Sequence, residues 1–92
     1  MDERDLAEAL KETLVLLDSV GETFWASKIR VVLQSGDLDE ILSWYGGMGS
    51  FNDLLIATAN GHQVSREQEP ANNAQLRKLQ TQIYERARRL TR

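Results

Sequence analysis

Apolar residues recur every three or four positions along most of this 92-residue chain, which is the spacing of one face of an α-helix. Over residues 2–19 the apolar face consists of leucines, namely Leu6, Leu10, Leu14 and Leu17. Over the stretch that ends near Ser35 it consists of Trp25, Ile29, Val32 and Leu33. Both stretches predict amphipathic helices.

Short polar and glycine-containing segments predict where these helices begin and end. Gly21 interrupts the first pattern, and Ser19 and Glu22 have the spacing of a capping box, so we expect the second helix to start near them. Gly36 suits the left-handed position after that helix, and Asp37 can cap the next one. The third helix is predicted directly after it.

The third apolar face ends in an aromatic pair. Leu38, Ile41, Leu42 and Tyr45 continue the helical spacing, whereas Trp44 lies about one residue off the face. We therefore expect Trp44 either to cover a neighbouring side chain or to remain partly exposed.

Residues 46–54, Gly-Gly-Met-Gly-Ser-Phe-Asn-Asp-Leu, follow at once and hold three of the six glycines. Ser50 and Asp53 have the spacing of a helix cap, which predicts a short fourth helix from about Phe51 to Ala59. The alternative is a hairpin, with residues 54–57 turning through Asn60-Gly61 into residues 62–65, since Asn-Gly is a strong turn signal.

The last part of the chain predicts a loop and one long helix. Residues 62–71 are polar and contain the only proline, so we expect a surface loop. Asn72 or Asn73 is the expected cap of a helix whose apolar face is Leu76, Leu79, Ile83, Ala87 and Leu90. The predicted fold is all-α: one domain over residues 1–92, a compact bundle of four to five short helices with a glycine-rich corner between helices three and four.

Composition is that of a small globular protein, with 41% hydrophobic and 27% charged residues. Because the chain has no cysteine, disulfides and thiolate metal sites are excluded. The acidic N-terminus differs from a signal peptide, and the longest apolar run, Leu14–Leu17, is too short to span a bilayer. We expect a cytoplasmic protein without a membrane segment.

Charge is unevenly distributed. Residues 1–45 carry ten acids and four bases, net −6, whereas residues 46–92 carry four acids and seven bases, net +3. Basic residues near the end of the last helix would complement its dipole and face the acidic first helix. Nucleic-acid binding through them is the alternative, which the net charge of −3 disfavours.

The glycine-rich corner has the general form of an anion site, because free backbone N–H groups converge where a helix opens. It lacks a Lys-Ser/Thr pair after the glycines, a helix rather than a strand precedes it, and Asp53 would repel a phosphate. A structural corner with glycines at positive φ, and with Ser50 and Asp53 bonding its N–H groups, is the favoured interpretation.

The candidate binding residues cluster around this corner. Asp53 either caps the helix or forms an acidic and aromatic patch with Trp44 and His62, in the manner of an interface hot spot. His62, the only histidine, is expected to be solvated in a loop, and no spacing supports a catalytic set, a metal site or a cofactor. The candidate binding set is Trp44, Tyr45, Gly47, Gly49, Ser50, Asn52, Asp53 and His62.

Three segments together resemble a family of small bacterial proteins known only as a domain of unknown function: Thr23-Phe24-Trp25-Ala26, residues 46–54, and Asn60-Gly61-His62. The resemblance extends from about Leu6 to Leu90. It implies a bacterial, cytoplasmic, stand-alone domain with no assigned reaction and therefore no catalytic residue to carry over. By analogy of class alone, such proteins sometimes neutralise a toxin as immunity partners.

The leading hypothesis is a non-enzymatic protein-binding module, a monomer or weak homodimer, whose partner the sequence does not identify. The alternative is a regulatory domain that binds a small molecule or anion at the glycine-rich corner.

Overall fold

A computed structural model of the protein describes residues 3–46 and 49–91. It contains helices α1 (Glu3–Ser19), α2 (Thr23–Ser35), α3 (Leu38–Ser43) and α4 (Glu69–Leu90). Two short 3₁₀ turns, Phe51–Asp53 and Thr58–Asn60, lie between α3 and α4. The all-α bundle is confirmed. Across these residues, no helix is both long enough and apolar enough to cross a membrane.

The longest helix, α4, packs along α1 and α3, and α1 also packs against α2. The predicted apolar faces meet in one core. Leu17, Ile29 and Ile83 are fully buried there, as are Phe51 and Ile56 from the segment between α3 and α4. The non-helical segment thus contributes to the core as the helices do.

The first two helix junctions lie where the sequence predicts them. The α2 helix ends at Gly36, whose φ is 69°, and the Asp37 carboxylate accepts the Glu40 N–H at 3.1 Å as the cap of α3. At the start of α2 the chemistry differs from the prediction. Glu22 is itself the cap and accepts the Trp25 N–H at 3.0 Å, while the Ser19 hydroxyl donates to Leu16.

The prediction of a fourth helix over residues 51–59 is wrong, and so is the hairpin alternative. The backbone is extended between the two 3₁₀ turns because α4 binds its polar groups. The Asn73 side chain accepts the Ile56 N–H and donates to the Ile56 carbonyl, both at 2.8 Å. Gln80 Nε2 donates to the Phe51 carbonyl at 2.7 Å. A local helix would need these same backbone groups for its own hydrogen bonds.

Neither Asn72 nor Asn73 caps α4. The helix begins earlier, at Glu69, with Pro70 in its first turn, where a residue without an N–H is well suited. Asn73 lies inside the helix, and its side chain holds Ile56 instead. The predicted surface loop is therefore shorter than residues 62–71, and its first residue, His62, is buried.

Candidate binding surfaces on either side of Phe51

Phe51 lies at the centre of an aromatic cluster and is completely buried. Its ring centroid is 5.1 Å from that of Trp25, 5.8 Å from Trp44 and 5.9 Å from Tyr45. Its N–H donates to the Trp44 carbonyl at 2.7 Å. The cluster separates two surfaces, and the predicted binding residues are divided between them.

Trp44 is buried, with 3% of its surface exposed, so it is not an exposed anchor. Because α3 ends at Ser43, the helical spacing that placed Trp44 off the apolar face no longer applies to it. Its indole N–H donates to Glu40 Oε2 at 2.8 Å. The Trp44 ring therefore forms part of the aromatic cluster, and its N–H fixes the Glu40 carboxylate at the surface.

The expectation that His62 is solvated is wrong, since only 7% of the residue is exposed. Its Nδ1 accepts the Ala57 N–H at 3.1 Å, and its Nε2 lies 3.0 Å from Glu22 Oε1. Because Nδ1 is an acceptor, the ring proton lies on Nε2 and is donated to Glu22. His62 thus ties the segment before it to the start of α2, with both ring nitrogens engaged.

The glycine-rich corner has positive φ at Gly46 (91°) and Gly49 (77°), as predicted. Gly47 and Met48 lie outside the described residues. The Asp53 carboxylate accepts the Gly49 N–H at 3.0 Å, as predicted, whereas Ser50 makes no capping bond and donates its hydroxyl to Asn52. A carboxylate of the chain therefore already uses the amide that an anion would need.

The first surface is a channel along α2 and past α3 and the corner, made of three depressions of about 430, 330 and 230 Å³ in series. Each depression shares lining residues with the next. The charged lining residues are one base and four acids, net −3: Lys28, Glu22, Asp37, Glu40 and Asp53. We call this surface the acidic channel.

Each depression of the acidic channel has one large apolar side chain that is exposed to solvent. Val31 (62% exposed) lines the first, Phe24 (63%) the second and Leu55 (47%) the third. Lys28 lies between Phe24 and Val31 on α2. Its ammonium is 5.4 Å from the Phe24 ring centroid and 4.0 Å from Glu40 Oε2, so the single base of the channel is held by its neighbours.

The second surface is a groove of about 900 Å³ between α3 and the C-terminal part of α4. Tyr45 and Asn52 of the predicted set line it, together with Tyr84, Arg77 and Arg88 of α4. We call it the tyrosine–arginine groove. Burial raises the pKa of the Tyr45 phenol well above its usual value, and the neighbouring Tyr84 adds to the shift.

Sequence reasoning missed residues on both surfaces. Phe24 and Val31 lie seven positions apart and off the buried face of α2, a spacing that is visible in the sequence. Arg77, Tyr84 and Arg88 are also regularly spaced on α4. What the sequence lacks is any sign that α3 lies beside them.

The third depression brings together Ser50, Asp53 and His62. Ser50 donates its hydroxyl to Asn52, and the two ring nitrogens of His62 are bonded to Ala57 and Glu22. In the described part of the chain, no three Asp, Glu or His residues are grouped in a way that could hold a metal ion.

The fold and these two surfaces define a small all-α domain that wraps an aromatic cluster and carries opposite charge on its two sides. The chain belongs to the family described as Domain of unknown function (DUF6966), whose family model matches residues 18–65. That match is narrower than the resemblance expected from the sequence, and it contains every residue that lines the acidic channel. No curated protein and no solved structure matches the chain.

Proposed function

We propose that this protein is a non-enzymatic binding module and that the acidic channel receives a partner protein with a basic surface and protruding apolar side chains. The observation that carries the proposal is the exposed apolar side chain in each of the three depressions. Apolar groups ringed by polar ones are typical of protein interfaces.

The shape of the channel favours a protein over a small molecule. Phe24 and Val31 are seven residues apart, which places them on the same side of α2 and about 10 Å apart along its axis. Leu55 extends the row beyond the glycine-rich corner. An extended row of depressions suits several side chains of a partner, whereas a small ligand is usually held in a single pocket.

Charge selects the kind of partner. Four carboxylates and one lysine line the channel, and Lys28 is already engaged by Glu40 and the Phe24 ring. A basic partner would be attracted over a distance and correctly oriented, since opposite charges accelerate association. An inhibitor or immunity-type protein of a bacterial cytoplasm that blocks a basic partner is consistent with this chemistry and belongs to the proposal.

The test compares partner capture by three forms of the protein from a lysate of its source. The double variant Phe24→Ser/Val31→Ser removes two apolar anchors, and Val15→Ser, on α1 and 71% exposed, is the matched control outside the channel. All three positions are exposed, so we expect unchanged thermal unfolding.

We expect a basic protein that binds the wild type and Val15→Ser but is retained at least tenfold less by the double variant. Its binding should weaken as salt increases, because the channel is acidic. A partner that all three forms retain equally, or one that is acidic, would contradict the assignment of the channel as the binding face.

A further inference from the structure

The tyrosine–arginine groove is a second surface, which shares Gly46 with the acidic channel but none of its charged or aromatic residues. Its volume of about 900 Å³ is at the upper end of the range for small-molecule sites. Besides its aromatic and charged side chains it is lined by the apolar Leu42 of α3 and by the polar Asn52, Gln80 and Thr81.

One wall of the groove is a pair of tyrosine rings whose centroids are 4.9 Å apart, inclined at 60°. Tyr45 is fixed on two sides. Its hydroxyl donates to the Gln80 carbonyl at 2.7 Å, and its ring packs edge-on against Phe51. Because Tyr45 is held before any ligand arrives, the aromatic wall is pre-organised to contact a flat ring.

Two arginines supply positive charge along the same wall. Arg77 and Arg88 are eleven residues apart on α4, which is three helical turns or about 16 Å along one side of the helix. Arg88 Nη1 lies 3.2 Å from the Tyr84 hydroxyl, and the guanidinium carbon lies 6.0 Å from the Tyr84 ring centroid. The arginine is thereby placed beside the aromatic wall.

These guanidinium groups carry unneutralised charge. Among residues 3–46 and 49–91, no carboxylate forms an ion pair with Arg77 or Arg88. The described residues that line the groove include two bases and one acid, Glu85, which gives net +1 in a chain of net −3. Guanidinium groups form bidentate hydrogen bonds with carboxylates and phosphates, which is the chemistry the groove offers.

A polynucleotide would need a continuous basic footprint, and a net charge of +1 on an acidic protein does not supply one. We propose that the groove binds a small molecule that combines one flat ring with one carboxylate or phosphate. The ring packs on Tyr45 and Tyr84, and the acidic group binds Arg88 or Arg77. This site is independent of the protein-binding channel, so each proposal stands or fails without the other.

The test titrates the full chain with adenosine 5′-monophosphate and, separately, with benzoate, and follows binding by calorimetry and by ¹⁵N-labelled NMR spectra. The two probes share the chemistry and differ in the acidic group, so their relative affinities show whether a phosphate or a carboxylate is preferred. We expect at least one of them to bind and to shift the side-chain amide signal of Gln80.

Variants distinguish the groove from general attraction to positive charge. Arg88→Gln and Arg77→Gln remove lining charges, whereas Lys78→Gln removes a neighbouring charge of α4 that does not line the groove. We expect at least one arginine variant to bind about tenfold more weakly and Lys78→Gln to bind within twofold of the wild type. The proposal would be overturned if neither probe bound at about 10 mM, a concentration that corresponds to a binding free energy of about 3 kcal/mol. It would also be overturned if all three variants bound equally more weakly than the wild type.

Discussion

The two sides of Phe51 differ in charge, in the exposure of their aromatic rings and in their origin along the chain. The acidic channel has net −3 and exposes Phe24, whereas the tyrosine–arginine groove has net +1 and holds its rings half-buried. The channel lies wholly within the stretch matched by the family model, while the groove depends on α4, which begins after that stretch. One aromatic residue thus separates two surfaces with different chemistry.

The difference teaches that the glycine-rich corner organises both surfaces, since it contributes lining residues to each. Its glycines turn the chain, so that Asp53 faces the channel and Asn52 the groove although they are adjacent in sequence. The corner's Gly49 amide is used internally by Asp53. Other residues of the corner line the two surfaces, Ser50 on the channel side and Asn52 on the groove side.

The largest effect is expected for Phe51→Ala, which removes the partition between the surfaces. A fully buried phenylalanine replaced by alanine costs about 3–5 kcal/mol in the free energy of unfolding, because a cavity remains. Urea unfolding measures this loss. The control is Leu55→Ala, at a half-exposed position, which should unfold with a free energy within about 1 kcal/mol of the wild type. A loss below about 1.5 kcal/mol for Phe51→Ala would show that the cluster is not the centre of the fold.

The helices could be predicted from sequence because their apolar spacing and caps are local. Asp37 caps α3 and Gly36 ends α2 for reasons visible within four residues. The segment between α3 and α4 could not be predicted, because its backbone is held by Asn73 and Gln80, seventeen and twenty-nine residues beyond their partners Ile56 and Phe51. No local pattern reports such bonds.

The candidate site was predicted in part for the same reason. The bond between Asp53 and the Gly49 N–H spans four residues and follows from cap spacing. The burial of His62 depends on Glu22, forty residues away, and that of Trp44 on the end of α3 at Ser43, one residue before it. Polar residues in a loop-like sequence give no sign of such a partner.

His62→Ala is expected to cost about 2–4 kcal/mol and to disturb the channel side alone. The change leaves the buried Ala57 N–H without its His62 acceptor and removes one of the two donors to the Glu22 carboxylate, the other being the Trp25 N–H. Thermal or urea unfolding measures the loss, while probe binding in the groove should stay unchanged. Asn60→Ala, at an exposed residue with one bond to Leu55, is the matched control at about 1 kcal/mol. If both variants lost the same free energy of unfolding, His62 would contribute no more to stability than an exposed loop residue does.

Gly49→Ala is expected to cost about 1–2 kcal/mol, because an L-residue is strained at a φ of 77°. An added Cβ meets no atom within 4 Å, so the cost comes from the backbone alone. Ser50→Ala, at the next position with a negative φ, should change stability by less than 1 kcal/mol in the same urea experiment. A neutral Gly49→Ala would mean that the corner does not require glycine there.

Tyr45→Phe tests the groove side and is expected to cost about 1 kcal/mol at pH 7, through loss of the bond to the Gln80 carbonyl. The raised pKa of Tyr45 also makes stability depend on alkaline pH. Above about pH 10 the unfolded chain releases the phenolic proton while the folded chain keeps it, so the free energy of unfolding falls as pH rises. Between pH 8 and 11, the free energy of unfolding measured in urea should fall less for Tyr45→Phe than for the wild type. An equal fall in the two proteins would mean that other groups cause the loss of stability at alkaline pH.

Asp53→Ala is expected to have the smallest effect on stability, about 0.5–1 kcal/mol, since it removes one exposed capping bond. It also removes one of the four acids of the channel, so affinity for a basic partner should fall more than stability does. Asp39→Ala, an exposed acid that does not line the channel, is the charge-matched control. If both variants lost the same affinity for the partner, binding would depend on the net charge of the protein and not on the acids of the channel.

The most direct test of two chemically distinct surfaces is a pair of ¹⁵N NMR titrations, one with an amphipathic lysine–leucine peptide and one with adenosine 5′-monophosphate. The Trp44 indole N–H, bonded to Glu40, reports on the channel, and the Gln80 side-chain amide, bonded to the Phe51 carbonyl, reports on the groove. The basic peptide is predicted to shift the Trp44 signal and leave that of Gln80 in place, and the nucleotide is predicted to do the reverse. Both probes shifting the same signals, or neither probe shifting its own, would contradict the division of the molecule at Phe51.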